Sequence, residues 1–289
     1  MKGFLLSVLL MFGTAAVAKP SLVVLDVGEG QALLLRDGRH GILVDTGHPG
    51  MAQHLLQRLS ALGVEQLDYL ILTHLHPDHA GGYFRLRERF PDTPLLYTGH
   101  PLPADVRPDL VRWLNQAVIT DRHWKKTLAG DVIRWKELNM EVLWPDAFTD
   151  SNLNRHSMVL LVRYGGLKLL FMGDADAVVE KKLMARKRLP ARVDLLVTGH
   201  HGAVDATSQE FLAAIRPRLA VISVNKGNIR GYPATDVVER LIRMGVSVLR
   251  TDRDGELIFE LRCDQSTEAG VCQGRCCISS AAMGEGPKE

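Results

Sequence analysis

The chain has 289 residues, of which 46% are hydrophobic, 24% charged and 6% aromatic. Those values exclude a disordered chain, a multi-span membrane protein and a collagen-like repeat, and the length suits one large domain with a sizeable core. Lysine and arginine total 35 against 33 acidic residues, so the formal charge of +2 makes no electrostatic case for a nucleic-acid partner.

Residues 1–18 read as an export signal: Lys2 supplies the positive start, 4–12 the apolar run, and Ala16-Val17-Ala18 an A-x-A cleavage site before Lys19-Pro20. The apolar run is too short to span a bilayer. The expected location is therefore periplasmic or secreted. Three strands are predicted next, over 22–27, 32–36 and 41–44, separated by Gly28, Gly30, Asp37 and Gly38. Residues 51–62 carry helical spacing, with Leu55, Leu56, Leu59 and Leu62 on one face. A buried strand over 67–73 then runs straight into Thr73-His74-Leu75-His76-Pro77-Asp78-His79. The stretch 90–144 is proline-rich at first and returns to strands near 132–135 and 140–143.

A hairpin is predicted over 158–164 and 167–172, turning at Gly165-Gly166, followed by Gly173-Asp174-Ala175-Asp176 and a helix over 178–186. A strand over 193–198 ends at Gly199-His200-His201-Gly202. Helices over 209–215 and 235–244 then alternate with strands over 219–224 and 246–249. Strands in runs early and alternation with helices late suit an α/β (α+β) domain of two mixed sheets packed face to face with helices outside. The division expected is 1–18 as signal, 19–262 as the domain, and 263–289 as a tail with its last residues disordered. Cys263, Cys272, Cys276 and Cys277 lie in that tail and, in an oxidising compartment, read as two disulfides of open pairing. A zinc site is the lesser alternative, because the spacing lacks paired C-x-x-C units.

The chemistry concentrates in His74-x-His76-x-Asp78-His79. Imidazoles at i and i+2 leave a strand end on the same side and can grip one ion, while Asp78 and His79 on the following turn can reach a second. Asp45 and Asp174 each close an apolar strand, where a carboxylate without a partner is costly. His200 or His201 closes another. All these residues stand at C-terminal strand ends, so they can meet at one sheet edge. Arginines 85, 87 and 89 and the basic run from Lys181 to Arg188 could attract phosphates, although such runs are usually a solvated face.

These segments resemble the metallo-β-lactamase fold superfamily and, within it, the hydrolase domain of ComEC-type DNA-uptake proteins and their stand-alone secreted relatives. The resemblance covers 22–261 and rests on Leu25 to Gly30, Val44-Asp45-Thr46-Gly47, the His74 to His79 motif with Ala80-Gly81-Gly82, Asn154 to Leu160, Gly173-Asp174-Ala175, Gly199 to Gly202 and Arg250-Thr251-Asp252. It implies an αββα sandwich holding two divalent ions, usually zinc, with manganese the other candidate. Carried over, His74 and His76 hold the first ion, Asp78 and His79 the second, Asp174 bridges both, and Asp45 orients the set. His200 is preferred to His201 for the last ligand. A third histidine for the first ion, which many members supply, is Asn154 here, with His156 as a candidate. Glu29 and Gln31 replace the family's Gln and Asp, Ala203 its Ser, and Tyr232 its histidine.

Two such ions can share a hydroxide at neutral pH and polarise the bond under attack. The implied function is an exported binuclear hydrolase acting on phosphodiesters, in nucleic acid or a phosphorylated small molecule, with Asp78 as proton acceptor. The alternatives are a lactone or β-lactam hydrolase and a non-catalytic metal-binding module. No protein partner is implied.

Overall fold

Strands that are apolar on both faces need cover on both sides, and the near-continuous hydrophobic runs of this chain meet that need with two sheets and two helical layers. The computed structural model describes residues 19–102, 109–146, 150–263, 271–273 and 276–280. The expected signal, 1–18, and the tail end, 284–289, lie outside the described residues.

In the first half of the chain β1 (Ser21–Val24), β2 (Leu33–Asp37) and β3 (His40–Val44) form a meander. Helix α1 (Ala52–Ala61) then crosses to β4 (Gln66–Ile71), parallel to β3. The short α2 (Pro77–Ala80) and α3 (Tyr83–Arg89) lead to β5 (Leu95–Tyr97), and α4 (Asp109–Ile119) to β6 (Trp124–Lys126). The second sheet opens with the antiparallel strands β7 (Val132–Trp135), β8 (Leu138–Trp144), β9 (Val159–Tyr164) and β10 (Leu167–Phe171). After α5 (Ala177–Ala185) come β11 (Leu195–Val197), α6 (Gln209–Ile215), β12 (Leu219–Ile222), α7 (Thr235–Arg243) and β13 (Ser247–Arg250). These later strands add in parallel beyond β10. Helix α8 (Thr251–Asp254) returns the chain to the first sheet as β14 (Leu257–Cys263), beside β1.

The alternation of side chains along the strands decides which layer each enters. Leu22, Val24, Ile42 and Val44 face Val142, Leu160, Leu169 and Phe171 between the sheets. Val23, Leu43 and Leu70 point outward beneath Leu55, Leu59, Leu86 and Leu114 of the first helical layer. Leu161, Leu170 and Leu196 do the same beneath Val179, Leu183, Phe211 and Leu241. This is the αββα sandwich that was expected. The three-residue strands β5 and β6 and helices α3 and α4 are additions to the sequence reading, which named no element between 79 and 132.

The cysteine tail is joined to the sheet. Strand β14 runs through the expected boundary, and β16 (Cys276–Ser280) pairs antiparallel with it, with β15 (Val271–Gln273) outside. Cys263 faces Cys276 across that register and is disulfide-bonded to it, and Cys277 is oxidised as well. The β9–β10 turn rests on this bond: a Cβ at Gly165, whose φ is +54°, would lie 2.4 Å from the Cys263 sulfur. The disulfide thus joins two strands at the rim of one sheet and packs against a turn of the other.

Candidate metal centre

The site forms at the C-terminal ends of β3, β4, β10 and β11, where both sheets have parallel pairs and backbone groups without a ladder partner. Asp45 follows β3 with φ +63°, and its amide donates to the Ile71 carbonyl at 2.8 Å, tying the ends of β3 and β4 together. His74 lies just beyond β4. His76 is the residue before α2, Pro77 supplies that helix with its first position, and Asp78 and His79 fall in its single turn. Asp174 follows β10, and the His200 amide donates to the Gly173 carbonyl at 3.0 Å.

Asp45 is fully buried and accepts four hydrogen bonds: from the Thr73 amide and hydroxyl, both 2.8 Å, from Gln31 Nε2 at 3.0 Å, and from His79 Nδ1 at 2.7 Å. That donation leaves the His79 Nε2 lone pair pointing inward. The same logic repeats around the cluster. His201 Nδ1 donates to the Ser223 carbonyl at 2.8 Å. His74 Nδ1 lies 3.2 Å from Thr73 Oγ1, whose own proton goes to Asp45. These three imidazoles are therefore fixed in the tautomer that presents Nε2 to the centre.

Asp174 divides that centre in two. Its Oδ1 lies 3.0 Å from His79 Nε2 and 3.5 Å from His201 Nε2, and its Oδ2 lies 3.6 Å from His74 Nε2. Asp78 Oδ2 is 3.6 Å from His201 Nε2, and His76 Nδ1 is 3.0 Å from His74 Nε2. His74, His79 and Asp174 form one group able to hold an ion, and Asp78, His79 and His201 another. Asp174 Oδ1 is buried with no well-directed hydrogen bond despite His79 beside it. Lone pairs converging this closely repel unless a cation or proton sits among them, so the residues fit two divalent ions of the zinc or manganese kind.

The charges show what stands in without metal. Burial pushes His79 and His201 down, but Asp174 with Asp45 on the first, and Asp174 with Asp78 on the second, raise both above the ordinary imidazole value. Burial pushes Asp78 and Asp174 up, yet His201 and His79 hold both below the usual carboxylate range. Burial keeps His74 and His76 low and neutral. Protons on His79 and His201 thus balance the carboxylates, and divalent ions must displace them.

His74, Asp78, His79 and Asp174 come together, with His76 beside His74 and Asp45 behind His79. His201, rather than the preferred His200, stands with Asp78 and His79, because two consecutive left-handed residues (φ 48° and 53°) turn the rings apart. His200 Nε2 instead faces Asn154 and Tyr232, 3.9 Å from Asp174 Oδ2. His156 is also not brought to the cluster. Its Nε2 is held 2.8 Å from the Asp150 carbonyl, and its ring packs on His100 with centroids 5.0 Å apart. The arginines after the motif serve the fold: Arg87 pairs with Asp121 at 2.6 Å and Arg85 with Glu88 at 2.8 Å.

Sequence reasoning missed the supports. Gln31 and Thr73 hold Asp45. Ser157 Oγ accepts from the Asp174 amide at 3.0 Å and lies 3.3 Å from His74 Nδ1. Ser223 holds both His201 and the Gly30 carbonyl. Gly30, at φ +118°, lies so close to α2 that a Cβ would sit 1.9 Å from the Asp78 carbonyl oxygen. Buried Glu180 of α5 accepts from the Ser208 amide at 2.9 Å and from the Thr207 amide, anchoring the loop beyond His201. Only Thr73, adjacent to His74, carried a positional signal.

The family model of the metallo-beta-lactamase superfamily matches residues 25–224. The chain belongs to the metallo-beta-lactamase superfamily. It carries His and Asp groups able to bind two metal ions. It is similar to ComE operon protein 3 of Bacillus subtilis, with 30% identity over 82% of this chain and 32% of the relative, so it spans about a third of that protein. It is also similar to the hydroxyacylglutathione hydrolase of Aeromonas salmonicida, with 28% identity over 81% of this chain and 82% of the relative. Among solved structures, the metallo-beta-lactamase fold protein YhfI of Bacillus subtilis matches with a TM-score of 0.53 and 13% identity, covering 80% of this chain and 96% of its own. That likeness supports the fold alone. Among the described residues no helix is long and apolar enough to cross a membrane.

Proposed function

We propose that this chain is an exported, binuclear metal-dependent hydrolase that cleaves phosphodiesters, in nucleic acid or a phosphorylated small molecule. The observation that carries the reading is the placement of Asp174, with His74 at its Oδ2 and with His79 and His201, the latter also beside Asp78, at its Oδ1. A pair of divalent ions, when bound there, makes water acidic enough to attack at neutral pH and neutralises charge on the phosphoryl group. Asp45 keeps His79 aimed through Nδ1, and Ser223 does the same for His201. Asp78, ionised at neutral pH, is the carboxylate placed to take a proton from the attacking water at Oδ2. The hydroxyls touching the set are committed elsewhere, Thr73 to Asp45, Ser157 to the Asp174 amide and Ser223 to Gly30. Direct attack by water therefore fits better than a covalent serine or threonine route.

Similarity to ComE operon protein 3 supports the phosphodiester choice and a place in handling external DNA, as does the leader-like stretch 1–18. A second reading, thioester hydrolysis, is favoured by the hydroxyacylglutathione hydrolase, of whose length the chain covers 82%. The deciding experiment measures metal content of the purified chain and turnover of bis-p-nitrophenyl phosphate, S-lactoylglutathione and nitrocefin. Two ions per chain with diester cleavage alone support the proposal. Thioester or nitrocefin cleavage alone replaces it, and no bound metal with no turnover leaves a binding module.

A further inference from the structure

We propose that His200 is the third nitrogen ligand of the first ion, replacing the histidine that the superfamily resemblance leads one to expect at Asn154. The inference rests on the binuclear reading above and extends it. His74 Nε2 and His200 Nε2 approach the same carboxylate oxygen, Asp174 Oδ2, at 3.6 and 3.9 Å, whereas His79 and His201 approach Oδ1. The carboxylate thus assigns His200 to the side of His74 and His76.

Its tautomer agrees. His200 Nδ1 lies 3.1 Å from Asp205 Oδ1, an acceptor only, so the ring proton is on Nδ1 and the Nε2 lone pair faces inward. Outward tethers on Nδ1 are what His79 and His201 also have. In the ion-free arrangement that lone pair is met by the Asn154 amide nitrogen at 3.1 Å and the Tyr232 hydroxyl at 3.4 Å. Asn154 Oδ1 meanwhile is buried without a partner.

The backbone supplies an independent sign. Consecutive non-glycine residues in the left-handed region are strained, and such strain persists at ligand clamps because the surroundings enforce it. Here φ values of 48° and 53° set neighbouring rings 6.4 Å apart on the two sides of Asp174. One strained dipeptide therefore serves both ions. The neighbour of the second ion's histidine fills the place that Asn154 leaves open.

The test uses the full chain, stripped of metal and titrated with cobalt(II), reading cobalt per chain by elemental analysis and coordination from the visible absorption. Wild type is expected to take two ions. His200→Ala and the better-fitting His200→Gln should each keep one ion and lose affinity for the other by about 10-fold or more. His74→Ala should lose the same ion, and adding His200→Ala to it should change little further. Introducing Asn154→His into His200→Gln should restore the lost first ion. Metal-free melting curves check folding. Two ions bound by the His200 variants with wild-type affinity and absorption would overturn the proposal. Wild type that loads two ions yet spares diesters removes the phosphodiesterase reading and not the ligand assignment, while wild type that loads none overturns both.

Discussion

Among the described residues two buried histidine pairs differ in what stands behind their rings, and only the first belongs to groups able to hold an ion. His79 and His201 have ring centroids 5.1 Å apart at 45°, and His100 and His156 have theirs 5.0 Å apart at 47°. The ring geometry is nearly the same, and both pairs are buried. What differs is the layer behind the rings. The first pair is backed by Asp45, Asp78 and Asp174, and the second by the main-chain carbonyls of Asp146 and Asp150. Carboxylates raise the first pair above the ordinary value, while burial leads in lowering His100 and His156. Net negative charge around the rings, more than the rings themselves, makes a cation site.

The largest effect should come from removing the charge that separates the two ions. Asp174→Asn is expected to lower hydrolysis more than about 100-fold and to take bound metal below one ion per chain, read by elemental analysis and steady-state turnover. If two ions remain bound with full activity, the contrast between the clusters has another cause. Asp45→Asn should come next. It spares the ligands themselves, so the expected loss is about 10–100-fold in affinity for the ion held by His79, measured by competition with a chelator.

His156→Ala sharpens the comparison from the other side. It should leave metal content unchanged and cost about 1 kcal/mol of stability, since it removes a partner of the partly buried Asp150 carbonyl. Denaturant melts give the cost, and a fall in metal content would put His156 back among the ligands.

The smallest effect is a pH dependence of opposite sign in the two clusters. In the metal-free chain, His79 and His201 have raised values, so their contribution is full below the ordinary 6.5 and lost as pH climbs through the raised values. His100 and His156 have lowered values, so theirs is present above 6.5 and lost as pH falls below it. Metal-free melting temperature should therefore decline from pH 6.5 toward 9, and saturating zinc should remove the decline. A decline that zinc leaves unchanged would mean that other groups govern it.

Much of the centre was legible because it is local. His74, His76, Asp78 and His79 share one strand end and one helical turn, and Asp45 and Asp174 close apolar runs where an unpaired carboxylate is expensive. The His200-His201 pair was legible as a pair, yet which ring serves which ion was not. That choice depends on two φ values and on partners at Asn154, Asp205 and Ser223, which are 46, 5 and 22 positions from the histidines they touch. The direction of the His156 ring was not legible either, since lying two residues from Asn154 says nothing about which way the ring turns. The short strands β5 and β6 left no alternation long enough to read, and the cysteine tail's pairing with β14 rests on register across a distant strand.

The sequence by itself determined the class of fold, the apolar strands and the chemistry collected at their ends, because hydrophobic period and ligand spacing act within a few residues. Tertiary structure alone decided how those ends meet: the split of Asp174 between two ligand sets, the assignment of His200 and His201, and the separation of the charged cluster from the neutral one. Burial and hydrogen bonding set tautomers and charges through contacts between remote segments, and no local pattern encodes them.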